Sequence, residues 1–162
     1  MIRDFNAADT EQVLALNEAC QPEVGPMDEA KLAGFVQWAS YFRVVEIERR
    51  VVGLLVGLDH QAPYGSPNYG WFITNLVRFA YVDRIAIDES QRGQGWGLAL
   101  YQDFEQWAST AGLPQLCAEV NVAPPNPRSV RFHELYGFER LEEFEPTGSP
   151  HYRVVMLAKP LA

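Results

Sequence analysis

The sequence predicts an α/β (α+β) sandwich, a mostly antiparallel twisted sheet of about six to seven strands flanked by about four helices. Three observations carry that reading. β-Branched and aromatic runs recur at Phe42 to Glu48, Val51 to Leu58, Tyr81 to Asp88, Leu116 to Val122, Phe138 to Glu145 and His151 to Leu157. With the helical segments they give the order strand, two helices, three strands, helix, strand, helix, two strands, which implies mostly antiparallel pairing. Two of the runs meet at Arg49-Arg50 and read as a hairpin. Finally, 162 residues that are 48% apolar and 12% aromatic hold enough material for one core, so residues 1–162 are read as a single domain.

Met1 to Phe5 reads as a short edge strand. Ala7-Ala8-Asp9-Thr10 then leads into Val13, Leu14, Leu16 and Ala19 at helical spacing, with Asp9 or Thr10 as N-cap. Behind the break at Pro26, Leu32, Phe35, Val36 and Ala39 predict a second helix over Asp28 to Ser40. From His60 to Ala80, Pro63, Gly65, Pro67 and Gly70 interrupt any periodicity, so the segment reads as a loop. Its Tyr64, Tyr69, Trp71 and Phe72 are too many aromatics for a plain linker: they either pack over the domain or form a lid lining a pocket. Leu98, Tyr101, Phe104, Ala108 and Ala111 form the apolar stripe of a helix that stops at Gly112 and Pro114. Asn126 as N-cap and Pro127 as first helical residue open a shorter helix to Tyr136, closed by Gly137.

Thirteen basic against twenty-one acidic side chains give a formal charge of −8, which argues against nucleic acid or an anionic membrane as the main partner. A cationic or neutral small substrate fits better. The longest apolar run, Val51 to Leu58, is too short to span a bilayer, and Met1-Ile2-Arg3-Asp4 lacks a signal-peptide apolar region, so a cytoplasmic protein is expected. Cys20 and Cys117 lie far apart and in no metal-ligand spacing, so neither a disulfide framework nor a bound metal is expected.

Gln91-Arg92-Gly93-Gln94-Gly95-Trp96-Gly97-Leu98 alternates glycine with other residues between an apolar strand and a helix. Glycines there let the backbone bend sharply and leave no Cβ between the amides and a ligand, and the helix N-terminus adds unpaired donors. The turn reads as an anion cradle. It lacks the Lys-Ser/Thr pair of a nucleotide P-loop, and Leu98 stands where a dinucleotide fingerprint beginning at Gly93 wants its third glycine.

Together with a second segment, the turn resembles the GNAT superfamily of acyl-CoA-dependent N-acetyltransferases. Arg92-Gly93-Gln94-Gly95-Trp96-Gly97, preceded by the strand Ile85-Ala86-Ile87, is similar to that family's Arg/Gln-x-x-Gly-x-Gly/Ala signature. Asn126-x-x-Ser129-x-x-Phe132-His133-x-x-x-Gly137-Phe138 is similar to its Asn-x-x-Ala/Ser-x-x-Leu/Phe-Tyr-x-x-x-Gly-Phe segment. The resemblance implies acetyl-CoA as co-substrate. Amides from Gly93 through Leu98 would hold the CoA pyrophosphate with Arg92 adding charge, the backbone of Ile85, Ala86 and Ile87 would pair with the pantetheine arm, and Asn126, Ser129 and Phe132 would flank it.

Acyl transfer from a thioester asks for a neutral amine, oxyanion stabilisation and a proton for the departing thiolate. A backbone amide near Ile87 can serve the oxyanion. His133 stands where many relatives carry a tyrosine as general acid, with Tyr136 as the fallback. Asp83, four residues before Ile87 and alternating with it toward one face, is the first candidate base; Glu119, on one face of its strand with Asn121, is the second. No base neighbours Cys20 or Cys117 in sequence, so direct transfer in a ternary complex is favoured over an acyl-enzyme. The alternative is a non-catalytic CoA-binding or sensor module. The acceptor is left open between a polyamine, an aminoglycoside, an amino acid and a protein N-terminus, and the oligomeric state between monomer and homodimer.

Overall fold

The computed structural model describes residues 1–162. Its sheet is built outward from the hairpin of β2 (Tyr41–Ile47) and β3 (Arg50–Asp59). The turn residues are Glu48 and Arg49, with φ of 50° and 67°, and Arg50 already pairs with Ile47. Positive φ at both central residues matches the turn's twist to that of the strands. The hinge is thus one residue earlier than the sequence predicts.

On one side of the hairpin lies β1 (Ile2–Asp4); on the other come β4 (Ala80–Ile87), β5 (Gln115–Ala123), β7 (Arg153–Pro160) and β6 (Glu139–Phe144). The seven strands run in the order β1-β2-β3-β4-β5-β7-β6. Every pairing is antiparallel except that of β4 with β5. The mostly antiparallel mixed sheet is therefore as predicted.

Five helices cover its two faces. α1 (Thr10–Ala19), α2 (Glu29–Trp38) and α3 (Pro67–Asn75) bury Val13, Leu16, Leu32, Phe35, Tyr69 and Phe72 against one face, with Leu54, Val56, Tyr81 and Cys117. α4 (Trp96–Thr110) and α5 (Pro127–Tyr136) bury Leu100, Tyr101, Phe104 and Val130 against the other, with Leu55, Val82, Ala118 and Val120. No helix is long and apolar enough to cross a membrane.

Two local readings need correction. Neither Asp9 nor Thr10 makes the first cap: Asn6 does, its side chain accepting from the Ala8 amide, while the Asp9 carboxylate accepts from the Asn6 amide and from Arg3. A short 3-10 turn at Ala7–Asp9 thereby leads into α1. Asp28 caps α2 through the Lys31 amide at 2.8 Å. The larger correction is α3, which forms where a loop was predicted. Gly70 and a run of aromatic residues weaken its intrinsic propensity. Packing decides the matter, because Tyr69 and Phe72, three residues apart, are both buried against Phe79 and Tyr81.

Candidate active site

β4 and β5 pair only at Ala80 with Leu116 and Tyr81 with Cys117, then diverge. The cause is visible in the β3–β4 ladder. Val56 pairs with Arg84 but the next residue, Gly57, pairs with Val82, so Asp83 is an extra residue in β4. Such a bulge bends its strand and shifts which side chains face which way. Ala80 and Val82 face α4, whereas Arg84 and Ala86, two and four residues on, lie on the face of α1 and α2. The regular alternation expected for Asp83, Ile85 and Ile87 therefore breaks at Asp83.

Beyond the bulge, β4 offers backbone to the gap. The Asp88 amide donates to Val52 O at 2.7 Å, so the two-residue alternation turns the Ala86 amide and carbonyl toward Leu54 of β3 and those of Ile85 and Ile87 toward the side β5 has left. Ile85 and the amide of Ile87 thus keep free backbone groups there, while the Ile87 carbonyl accepts from side chains and Ala86, expected to share that role, faces β3.

At the mouth of the gap lies the glycine turn. Gly93 and Gly95 have φ of 77° and 86°, in the left-handed region glycine favours, and Gly95 precedes the first residue of α4. None of the six amides from Gly93 to Leu98 donates to another group of the protein. Six successive free donors at a helix N-terminus fit a diphosphate. A Cβ at Gly97 would reach Phe132 Cζ at 3.9 Å, which places the Phe132 ring beside the cradle. Arg92 is arranged differently from expectation. Its Nε donates to Ile87 O at 3.1 Å and Nη2 approaches Cys20 Sγ at 3.8 Å, so its guanidinium ties the turn to the ends of β4 and α1.

Inward from the turn, a cavity of about 560 Å³ is lined by Asp83 and Ile85 of β4, Glu119 and Asn121 of β5, and Asn126, Ser129 and His133 of α5. Tyr64 and Asn68 close another wall. Of the aromatic wall expected from the 60–80 segment, only Tyr64 lines the cavity; Tyr69 is in the core, and Trp71 donates to Glu142 at the surface. Asn126 holds the N-cap position of α5 and lines the cavity; its backbone amide donates to Asn121 O, while its side chain makes no cap bond.

The two candidate bases are held very differently. Asp83 pairs with the buried Arg84 at 2.8 Å, and Arg84 is further fixed by Asn17 Oδ1, Gly25 O and the face of Phe35. Glu119 has no cation. Its Oε1 accepts from the Tyr81 hydroxyl at 2.8 Å and the Asn68 amide at 3.1 Å, while Oε2 is buried without a partner. Burial, and next the nearby negative charge of Asp83, push its pKa up to about 8, against the hydrogen bonds from Tyr81 and Asn68.

His133 is not the exposed polar residue its helical position allows. It is 4% exposed, ringed edge-on by Tyr101, Phe132 and Phe138. Its Nδ1 lies 2.7 Å from Ser129 O, which can only accept, so Nδ1 carries the proton and Nε2 accepts from the Tyr101 hydroxyl at 2.6 Å. Burial lowers its pKa below the usual 6.5. An acid role needs the imidazolium, which this setting disfavours at neutral pH. Tyr136 is no substitute, because its hydroxyl donates to Glu105, which also binds Lys159, and it does not line the cavity.

Sequence reasoning missed Asn68, Tyr81 and Tyr101. Tyr101 was read as part of an apolar stripe and Tyr81 as a strand residue, and in each case only the hydroxyl takes part. Asn68 has a faint signal, as it follows Ser66-Pro67, a helix-opening pair.

Solved structures share this architecture from end to end. Ard1 of Thermoplasma volcanium superposes with a TM-score of 0.79 at 22% identity, covering 100% of this chain and 97% of that one. The ribosomal-protein-S18-alanine N-acetyltransferase of Escherichia coli gives 0.74 at 16% identity over 100% and 94% of the two chains. Naa20 of Chaetomium thermophilum, solved with a bisubstrate analogue, gives 0.77 at 19% over 99% and 86%. At such identities the likeness is one of fold, and it defines the class. No curated protein sequence matches the chain. The model of the acetyltransferase (GNAT) family matches residues 10–138, and the chain belongs to that family of acyltransferases.

Proposed function

We propose that residues 1–162 work as one catalytic domain that transfers an acetyl group from acetyl-CoA to a primary amine by direct attack in a ternary complex, with Glu119 as general base. One observation carries the reading: an enclosed carboxyl with one free oxygen and a pKa of about 8 faces the cavity between the diverging strands. A base works best when its pKa lies near the working pH. Asp83, held in its ion pair with Arg84, serves instead through its charge to raise the pKa of Glu119.

The free amides of Gly93 to Leu98 hold the CoA pyrophosphate, and the backbone of Ile85 and Ile87 meets the pantetheine arm, with Asn126, Ser129 and Phe132 on its other side. The neutral amine's lone pair forms the C–N bond as the carbonyl π pair moves to oxygen, stabilised by a free amide of β4. The nitrogen, now cationic, gives one proton to Glu119 Oε2. The carbonyl re-forms, the C–S bond breaks, and the thiolate leaves. His133 acts here as a positioning residue: its Nε2 takes the one hydroxyl hydrogen of Tyr101 and so fixes that side chain at the cavity wall.

An α-amino group, with a pKa of about 7.7–8.0, becomes neutral in the range where Glu119 ionises, whereas a lysine amine at about 10.4 is almost wholly charged there. This favours α-amines, free or at a protein N-terminus. The ribosomal-protein-alanine activity named for one structural neighbour supports the same choice. A cytoplasmic setting fits the two free, buried cysteines.

Thermal unfolding with acetyl-CoA, CoA and ATP tests the donor: the first two should raise the midpoint and ATP should not. Thiol release from acetyl-CoA across a panel of peptides and small amines tests the transfer. Stabilisation by CoA without release on any amine would favour the non-catalytic binding module; no stabilisation by either CoA species would overturn the reading altogether.

A further inference from the structure

The two oxygens of Glu119 are not equivalent, and Asn68 repeats the asymmetry. Oε1 accepts both the Tyr81 hydroxyl and the Asn68 amide, while Oε2 has no partner. Of the two ends of the Asn68 amide only the nitrogen can donate to a carboxylate, so the bond from Nδ2 fixes the amide's orientation, and its Oδ1 is left buried and unpaired as well. Two unpaired acceptors thus stand on adjacent, hydrogen-bonded side chains in the wall of one cavity. Buried acceptors without donors are uncommon in folded proteins, and each calls for a reason.

We propose that Asn68 determines acceptor specificity: Asn68 Oδ1 and Glu119 Oε2 together receive the two N–H groups that a primary amine carries once it has bonded to the acyl carbon, so the site selects primary over secondary amines. The inference rests on Glu119 being the base. After attack, a primary amine nitrogen holds its substituent, the acyl carbon and two hydrogens. One hydrogen leaves as a proton to Glu119 Oε2, and the other remains on the amide nitrogen, donated to Asn68 Oδ1. A secondary amine has a single hydrogen after attack, which goes to Glu119. Asn68 Oδ1 then faces an alkyl group, still without a donor. Sites built to hydrogen-bond a substrate N–H discriminate sharply against an analogue that lacks it.

The test compares a peptide beginning with alanine and the same peptide beginning with N-methylalanine, by thiol release from acetyl-CoA with the full chain. The wild type should favour the primary amine by about 10- to 100-fold in kcat/KM. Asn68→Leu keeps the bulk and removes the acceptor. It also removes the Nδ2 donor that favours ionised Glu119, so both rates fall near neutral pH, but that on the alanine peptide falls further and the ratio collapses toward unity. Asn68→Asp keeps an oxygen at the same place and should restore the ratio, while a second carboxylate beside Glu119 moves the pH–rate limb to higher pH. A merely structural asparagine would lower both rates together, and an unchanged ratio in Asn68→Leu, with thermal midpoints confirming a folded protein, overturns the inference while leaving Glu119 as base. Equal wild-type rates on the two peptides overturn it too. Absence of thiol release by the wild type on every primary amine overturns the proposed function and this inference with it.

Discussion

Replacing Glu119 by glutamine keeps the acceptor for Tyr81 and Asn68 but removes the charge, and its effect on stability should change with pH in a way no other single replacement in the sheet would produce. In the folded protein the carboxyl ionises near pH 8, against an ordinary value of 4.5. The folded state therefore binds this proton more tightly than the unfolded chain. Its contribution is fully present below pH 4.5 and is lost as pH rises through about 8. A gap of about 3.5 pH units at about 1.4 kcal/mol each gives a loss of about 5 kcal/mol, comparable to the whole stability of a marginal domain. Glutamine escapes that loss. Urea unfolding of both proteins should give similar free energies near pH 4.5 and a glutamine variant more stable by several kcal/mol at pH 9, while thiol release falls by about 10²- to 10⁴-fold. A stability difference that stays constant across that range would refute the raised pKa and, with it, the base assignment.

Tyr81→Phe removes a hydrogen bond that favours the ionised carboxylate of Glu119, so the rising limb of the pH–rate profile should move up by about one unit, with turnover low at pH 7 and recovered at pH 9. Gly95→Ala puts a Cβ at φ 86° in the open space of the cradle; acetyl-CoA KM should rise, and equilibrium unfolding should show a loss of about 1–2 kcal/mol. In Gly57→Ala the new Cβ would overlap the fully buried ring of Phe104, and urea unfolding should register a cost of about 1–3 kcal/mol with acetyl-CoA KM unchanged.

Most of the sheet was legible because its signals are local. The two-residue turn before Arg50, the glycine turn before α4 and the Asn126-Pro127 start of α5 each fix backbone geometry within a few residues. α3 was not legible, since only the burial of Tyr69 and Phe72 against strand residues distant in sequence holds it. The cradle was legible as glycine spacing, because the left-handed backbone at Gly93 and Gly95 asks for glycine. Catalytic roles were harder. His133 and Asp83 have the right residue types in plausible positions, yet each is held by partners, Tyr101 and Ser129 O in one case and Arg84 in the other, that no spacing rule reveals.

The bulge at Asp83 also shapes the site itself. A regular β4 would keep its ladder with β5, and the strands would close over the place a substrate has to occupy. Inserting one residue opposite the Val56–Gly57 step reverses the facing of everything after it, sending Arg84 under α1 and freeing Ile85 and Ile87 on the open side. The same residue carries the negative charge that, after burial, does most to raise the pKa of Glu119. Strand alternation fails as a sequence rule at the position where the cleft opens and its base is tuned, because one departure from regular pairing produces both.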